Sequence, residues 1–222
     1  GLLFITYLFV EPQSKRELKK QQFGFVTQII ACITLLRRGK LRWLFGFAVF
    51  MIVINHIPYE FYQPFVEELA KQFELAKTTP LLTSIHLTVT MVIAAWIASR
   101  SIWIRDKLGL QNTLFVGAGL QTAIMAAMYL SVSIPVAIFT LMRSCPRALV
   151  TAPLNAAIAP NIPSNTRATF LSLQSLFGRL GFSLTLAIFA TATGGQEWNS
   201  IAHMLKWGMW CSIGVLVFFI LT

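Results

Sequence analysis

The stretch from Asn55 to Phe65, NHIPYEFYQPF, puts an imidazole, a carboxyl group, two amides and two phenols into an otherwise apolar run. His56 and Glu60 stand four residues apart and so share one face of a helix, which Asn55, Tyr59 and Gln63 broaden with hydrogen-bonding groups. Pro58 and Pro64 free backbone carbonyls there that a water-filled vestibule would satisfy. A carboxyl partly withdrawn from water holds its proton more tightly and can carry it through part of a cycle. Glu60 is therefore the leading candidate for proton coupling or for binding a cationic group. The His56–Glu60 spacing would also suit two metal ligands, but Pro58 lies between them and no third ligand is near, so no metal site is expected. Alternatively, the tyrosines and prolines form an interfacial belt where a helix leaves the membrane, with Glu60 already in water.

Arginines supply the second set. Arg143 lies nine residues into the apolar run that starts at Ile134, about 13 Å along a helix, and Arg147 is one turn further on the same face. An ionisable group at hydrocarbon depth is costly and normally faces a wet cavity or a partner. The pair would line a central cavity or its inner gate and recognise anionic groups or lock a closed state. Alternatively, the span is short and bent at Pro146, and both arginines snorkel to the headgroups. Arg179 stands between Gly178 and Gly181, which permit close helix approach, and is either a cavity cation or salt-bridge partner or a structural contact. His86, among Thr83, Ser84, Thr88 and Thr90, is a cavity residue or satisfies a local hydrogen bond, as His203 does. Asn155 and Gln121 are placed to line a path, and Gly117 with Gly119 to form a packing notch.

The elements that must carry these groups follow from composition. The 222 residues are 56% hydrophobic and 12% charged with a mean hydropathy of +0.68, against about 25% charged in soluble domains. Length here counts membrane spans. The net charge of +10 sits mostly in short segments between apolar runs, a positive-inside pattern that calls for no nucleic acid. Cys32, Cys145 and Cys211 have no CxxC pair among them and build neither a disulfide framework nor a zinc site. No cofactor is implied. The absence of GxSxG, HExxH and Walker motifs leaves soluble-style catalysis without support, so the chain is not read as an enzyme. A membrane-embedded enzyme would need ionisable groups converging at one depth, and only Glu60 is acidic within a span. A non-transporting scaffold or receptor would lack a wet central cavity.

Residues 1–10 read as the tail of a membrane helix cut at Gly1, because they lack the basic start and small-residue cleavage site of a signal peptide. Residues 11–40 form a basic loop whose middle, Phe23 to Leu36, suits an amphipathic helix on the membrane face. Residues 41–222 hold six apolar runs: Leu41 to Val66, Pro80 to Ser99, Leu110 to Ser131, Ile134 to Ile158, Ala168 to Thr193 and Ile201 to Leu221. An all-α membrane protein with a six-transmembrane-helix bundle results. Basic residues collect in the loop before the first span, in RSIWIRDKLG and in PNIPSNTR, whereas EELAKQFELAK, SVS and GGQEWNS are mostly acidic or neutral. The bias places the basic loop and the C-terminus in the cytoplasm, in a plasma or bacterial inner membrane.

Two stretches resemble the major facilitator superfamily. Ala98 to Gly109, ASRSIWIRDKLG, is similar to the GxxxDRxGRR loop: Asp106, Lys107 and Gly109 match D, R and G in order, while Ser101 or Ile102 replaces the first glycine and the final basic pair is missing. Arg167 to Gly181, RATFLSLQSLFGRLG, resembles the start of helix eleven in many bacterial members. The resemblance covers nearly the whole chain and implies the C-terminal half of a twelve-helix secondary transporter, from the end of helix six through helix twelve. It implies alternating access around a site shared with an N-terminal six-helix half, with protons or another ion as coupling partner and a small solute as substrate. Efflux of drugs or metabolites is the expected direction, and the buried arginines equally suit uptake or exchange of an organic anion. By the same resemblance Asp106 and Arg105, with Arg147 and Arg179, make a gating or structural charge network in which Asp106 pairs with Arg147.

Overall fold

The computed structural model describes residues 24–193 and 198–222. The expected severed helix at 1–10 and residues 11–23 of the basic loop lie outside the described residues. The first described helix, α1 (Phe25–Leu35), is short and apolar. It lies against α7 (Ser164–Thr193), where Thr169 donates to the Gln28 side chain at 2.9 Å and Cys32 is buried.

The second helix, α2 (Gly39–Gln72), runs 34 residues through both Pro58 and Pro64. Pro58 has no N–H to give the Ile54 carbonyl one turn back. That carbonyl instead accepts from Gln121 Nε2 at 3.3 Å, so a side chain of another helix, and not a vestibule, meets it. Gln121 is fully buried and ties α2 to α4 (Leu110–Leu130).

Two helices outlast their apolar runs. α2 continues past Val66 to Gln72, and α3 (Thr79–Leu108) past Ser99, so EELAKQFELAK and RSIWIRDKLG are largely helical and not loops. Good helix formers and pairs one turn apart explain the extension. Lys71 lies 3.2 Å from Glu67, Arg100 sits over the Trp96 ring at 4.3 Å, and Lys107 over Trp103 at 4.1 Å. A single residue, Gly109, joins α3 to α4 at φ 83° and ψ 160°, a conformation open almost only to glycine.

The run from Ile134 to Ile158, expected as one span, is two helices: α5 (Ile134–Thr140) and α6 (Cys145–Ile158). Pro146, the second residue of α6, has no N–H to give the Met142 carbonyl one turn back, so the helical ladder cannot run through. The chain between them tightens into bonds of i to i−3 type, with Arg143 N donating to Thr140 O at 3.0 Å and Cys145 N to Met142 O at 2.9 Å. The last helix is α8 (Trp198–Leu221).

Five helices, α2, α3, α4, α7 and α8, are long and apolar enough to cross a membrane, and no strand occurs among the described residues. Leu81, Ile85, Val92 and Trp96 of α3 point outward, more than half exposed. Such a contiguous apolar surface is unfavourable in water and natural against lipid. This is the make-up of an integral membrane helical bundle.

α2 is the hub and touches α3, α4, α6, α7 and α8. At one end Trp43 stacks on Phe47 at 5.3 Å, and Phe219 meets Phe47 edge-on at 5.3 Å, binding α2 to α8. Each such pair adds about 0.5–1.5 kcal/mol beyond its burial. Glycines set the closest crossings. A Cβ on Gly178 would lie 2.5 Å from Ile52 Cγ2, and one on Gly117 would strike Val150, whereas Gly119 faces open space. The notch on α4 is therefore Gly117 alone.

Candidate functional site

A cleft of about 920 Å3 opens between α2, α3, α6 and α7. Its floor on α3 is small and apolar: Met91, Ala94, Ala95 and Ala98. α2 contributes Asn55, His56 and Tyr59. Arg147, Thr151 and Asn155 follow at steps of four along one face of α6, and Gln174, Ser175 and Arg179 come from α7. Arg143 enters from the break between α5 and α6, so among the described residues the wall carries three arginines and no carboxylate.

The interrupted backbone turns Arg143 inward, where it is only 3% exposed and does not snorkel. Its Nη1 donates to His86 Nδ1 at 2.7 Å and to Thr90 Oγ1 at 2.8 Å. A guanidinium has only donors, so His86 Nδ1 is the acceptor and the ring proton sits on Nε2. Nε2 then donates to the Ala137 carbonyl at 3.1 Å, with Thr140 Oγ1 also at 3.1 Å. Beneath the guanidinium lies the Tyr62 ring, 3.8 Å from Cζ, and Tyr62 stacks on His86 at 5.8 Å. The arginine is thus held by a cation–π contact and a histidine that is itself anchored to α5.

Unmet polar atoms gather at this cleft. Arg143 Nε and Nη2, Asn55 Oδ1 and Gln174 Oε1 are covered yet have no hydrogen-bond partner among the described residues, and all three residues line it. Buried polar groups are nearly always paired. Asn55 spends its amide nitrogen on the Met51 carbonyl at 2.6 Å, and His56 donates from Nδ1 to the Ile52 carbonyl at 2.6 Å with Phe182 beside its ring.

Of the residues singled out in the sequence, Asn55, His56, Tyr59, Arg143, Arg147, Arg179 and Asn155 meet at the cleft. His86 stands behind Arg143, not in the lining. Glu60 and Gln63 are exposed and outside the lining, because the turn of α2 that follows Tyr59 passes beyond the cleft. Glu60 makes no ion pair among the described residues. Asp106 pairs with its neighbour Arg105 at 2.6 Å, not with Arg147, which is exposed on the cleft wall. Gln121 serves the α2 backbone and lines no path. Thr90, Tyr62 and Gln174 were not singled out for the site. Thr90 is one turn from His86 and so was within reach of the same helical spacing, whereas nothing local links Tyr62 to Arg143. Among the described residues no three His, Cys, Asp or Glu side chains cluster as metal ligands would.

A wall of cations, amides, hydroxyls and one imidazole against small apolar side chains can hold an anionic or strongly hydrogen-bonding solute. No family model, curated protein or solved structure matches this chain, so what the cleft does is argued from its own geometry.

Proposed function

We propose that the chain forms the six-span half of a major facilitator-type secondary transporter, with the cleft between α2, α3, α6 and α7 as its share of the solute pathway. The observation that carries this reading is a cleft of about 920 Å3, lined by polar atoms without partners among the described residues, in the middle of an apolar bundle. Solute pockets are commonly about 300–1,000 Å3. A discontinuous helix beside the site also supports it, since transporters place broken helices at their binding positions. The α5–α6 pair acts as an interrupted fourth span, and Arg143 stands at the interruption.

In this reading a second six-helix half faces the cleft, and the two halves rock so that the site opens to each side in turn. A proton gradient supplies the free energy. His56 stands in the cleft wall on the proposed proton pathway, with Glu60 one turn beyond. The basic segment at 11–40 and the C-terminus lie on the cytoplasmic side.

Counterflow in liposomes reconstituted with the intact protein tests the proposal: labelled solute should accumulate against unlabelled solute held inside. Failure to accumulate any solute across a panel of organic anions, cations and neutral compounds would remove it. Cysteine labelling that placed Lys15 to Lys20 outside the cell would reverse the topology.

A further inference from the structure

We propose that the cleft takes an amphipathic organic anion whose carboxylate or phosphate head lies on the Nε/Nη2 edge of Arg143; this deepens the transport reading and rests on it. A guanidinium offers two parallel N–H bonds along that edge, spaced for the two oxygens of a carboxylate or phosphate. Its other end is already taken, because Nη1 serves His86 and Thr90. Nε and Nη2 are the two nitrogens without a partner among the described residues.

The site is built for one charge sign. Among the described residues no carboxylate lines the cleft to neutralise Arg143, and Arg147 and Arg179 add positive charge on the same walls. Two nitrogens left without an acceptor on a buried cation are unfavourable, and an anion seated there removes that penalty. The edge is preorganised as well: Tyr62 supports the guanidinium plane, and His86, tied to Ala137, fixes its rotation. Met51, Met91, Leu154 and Leu171 offer an apolar wall for the rest of the molecule. Both nitrogens are covered in this conformation, so the head reaches them as the helices part around the break at 141–144, a movement alternating access requires.

An anionic lipid carries the same head chemistry as a dissolved organic anion, and the test separates the two. Intact protein in phosphatidylcholine nanodiscs is dialysed against radiolabelled benzoate and, separately, its neutral analogue benzamide. Benzoate should bind at least tenfold more tightly. Arg143→Lys keeps the charge but loses the two-pronged edge, and should weaken benzoate at least tenfold. Equal binding of benzoate and benzamide to the unaltered protein, including none of either, overturns the inference whether or not the variant folds. Competitive loss of benzoate when phosphatidylglycerol enters the discs supports the edge as an anion site supplied by lipid. Unchanged binding supports a dissolved anion. Benzoate binding without counterflow in proteoliposomes would remove the transport reading alone, and counterflow of neutral but not anionic solutes would remove this inference alone.

Discussion

The bond from Gln121 Nε2 to the Ile54 carbonyl replaces the one that Pro58 cannot make, and a double-mutant cycle should measure the substitution. Gln121→Leu leaves that carbonyl unmet in a fully buried setting, a loss of about 1–3 kcal/mol for an orphaned group. The lower end applies here, because the bond is long at 3.3 Å and because leucine also removes Gln121 Oε1, itself without a partner. Pro58→Ala restores the N–H one turn along α2, so the carbonyl regains a helical partner. In that background Gln121→Leu should be neutral or stabilising, giving a coupling of about 1 kcal/mol between the two sites. Thermal unfolding of the four proteins in detergent, followed by tryptophan fluorescence, reads this as midpoint differences of about 2–4 °C for a chain of this size. Additive effects, with coupling within about 0.3 kcal/mol of zero, would refute the claim that Gln121 stands in for the missing backbone donor. The result bears on the site because α2 carries Asn55 and His56 before Pro58 and Tyr59 just after it.

Gly178→Ala should destabilise by about 1–3 kcal/mol through overpacking, since its Cβ would press on the branched Ile52, whereas Gly119→Ala faces open space and should be neutral or stabilising. Equal effects at the two glycines, read as unfolding midpoints, would mean that α2 and α7 are not closely apposed. Burial pushes the Cys32 thiol pKa above its ordinary value. The folded state therefore holds that proton more tightly than the unfolded chain, so the contribution to stability is full below the unfolded pKa and fades as pH rises through the folded one. Maleimide should label Cys32 only on unfolding, because the thiol is covered in the folded protein; labelling of the folded protein at the rate of the unfolded chain would detach α1 from α7.

The all-helical class was legible because apolar runs of membrane length leave few other solutions. Helix ends were not: hydropathy measures how far a segment stays apolar, while α2 and α3 remain helical through charged turns that leave the hydrocarbon. Pro146 announced a bend but not its result. A bend alone would let Arg143 escape to the surface, and it was the tight turn at 141–144, closing on His86 and Thr90, that buried it. Helical spacing put His56 and Glu60 on one face correctly, yet could not say that the cleft ends before Glu60. Tyr62 under Arg143 joins positions far apart in sequence, and only the packing of α2 against the α5–α6 break brings them together.

The most direct measurement is benzoate counterflow in proteoliposomes containing the intact protein with Thr151→Cys, a position on the cleft wall one turn from Arg147. Labelled benzoate should accumulate against internal unlabelled benzoate, an anionic methanethiosulfonate should stop it, and excess benzoate should protect the new thiol. Accumulation that continues unchanged after that thiol is fully modified, or no accumulation at all, would contradict the assignment of the cleft as the solute pathway.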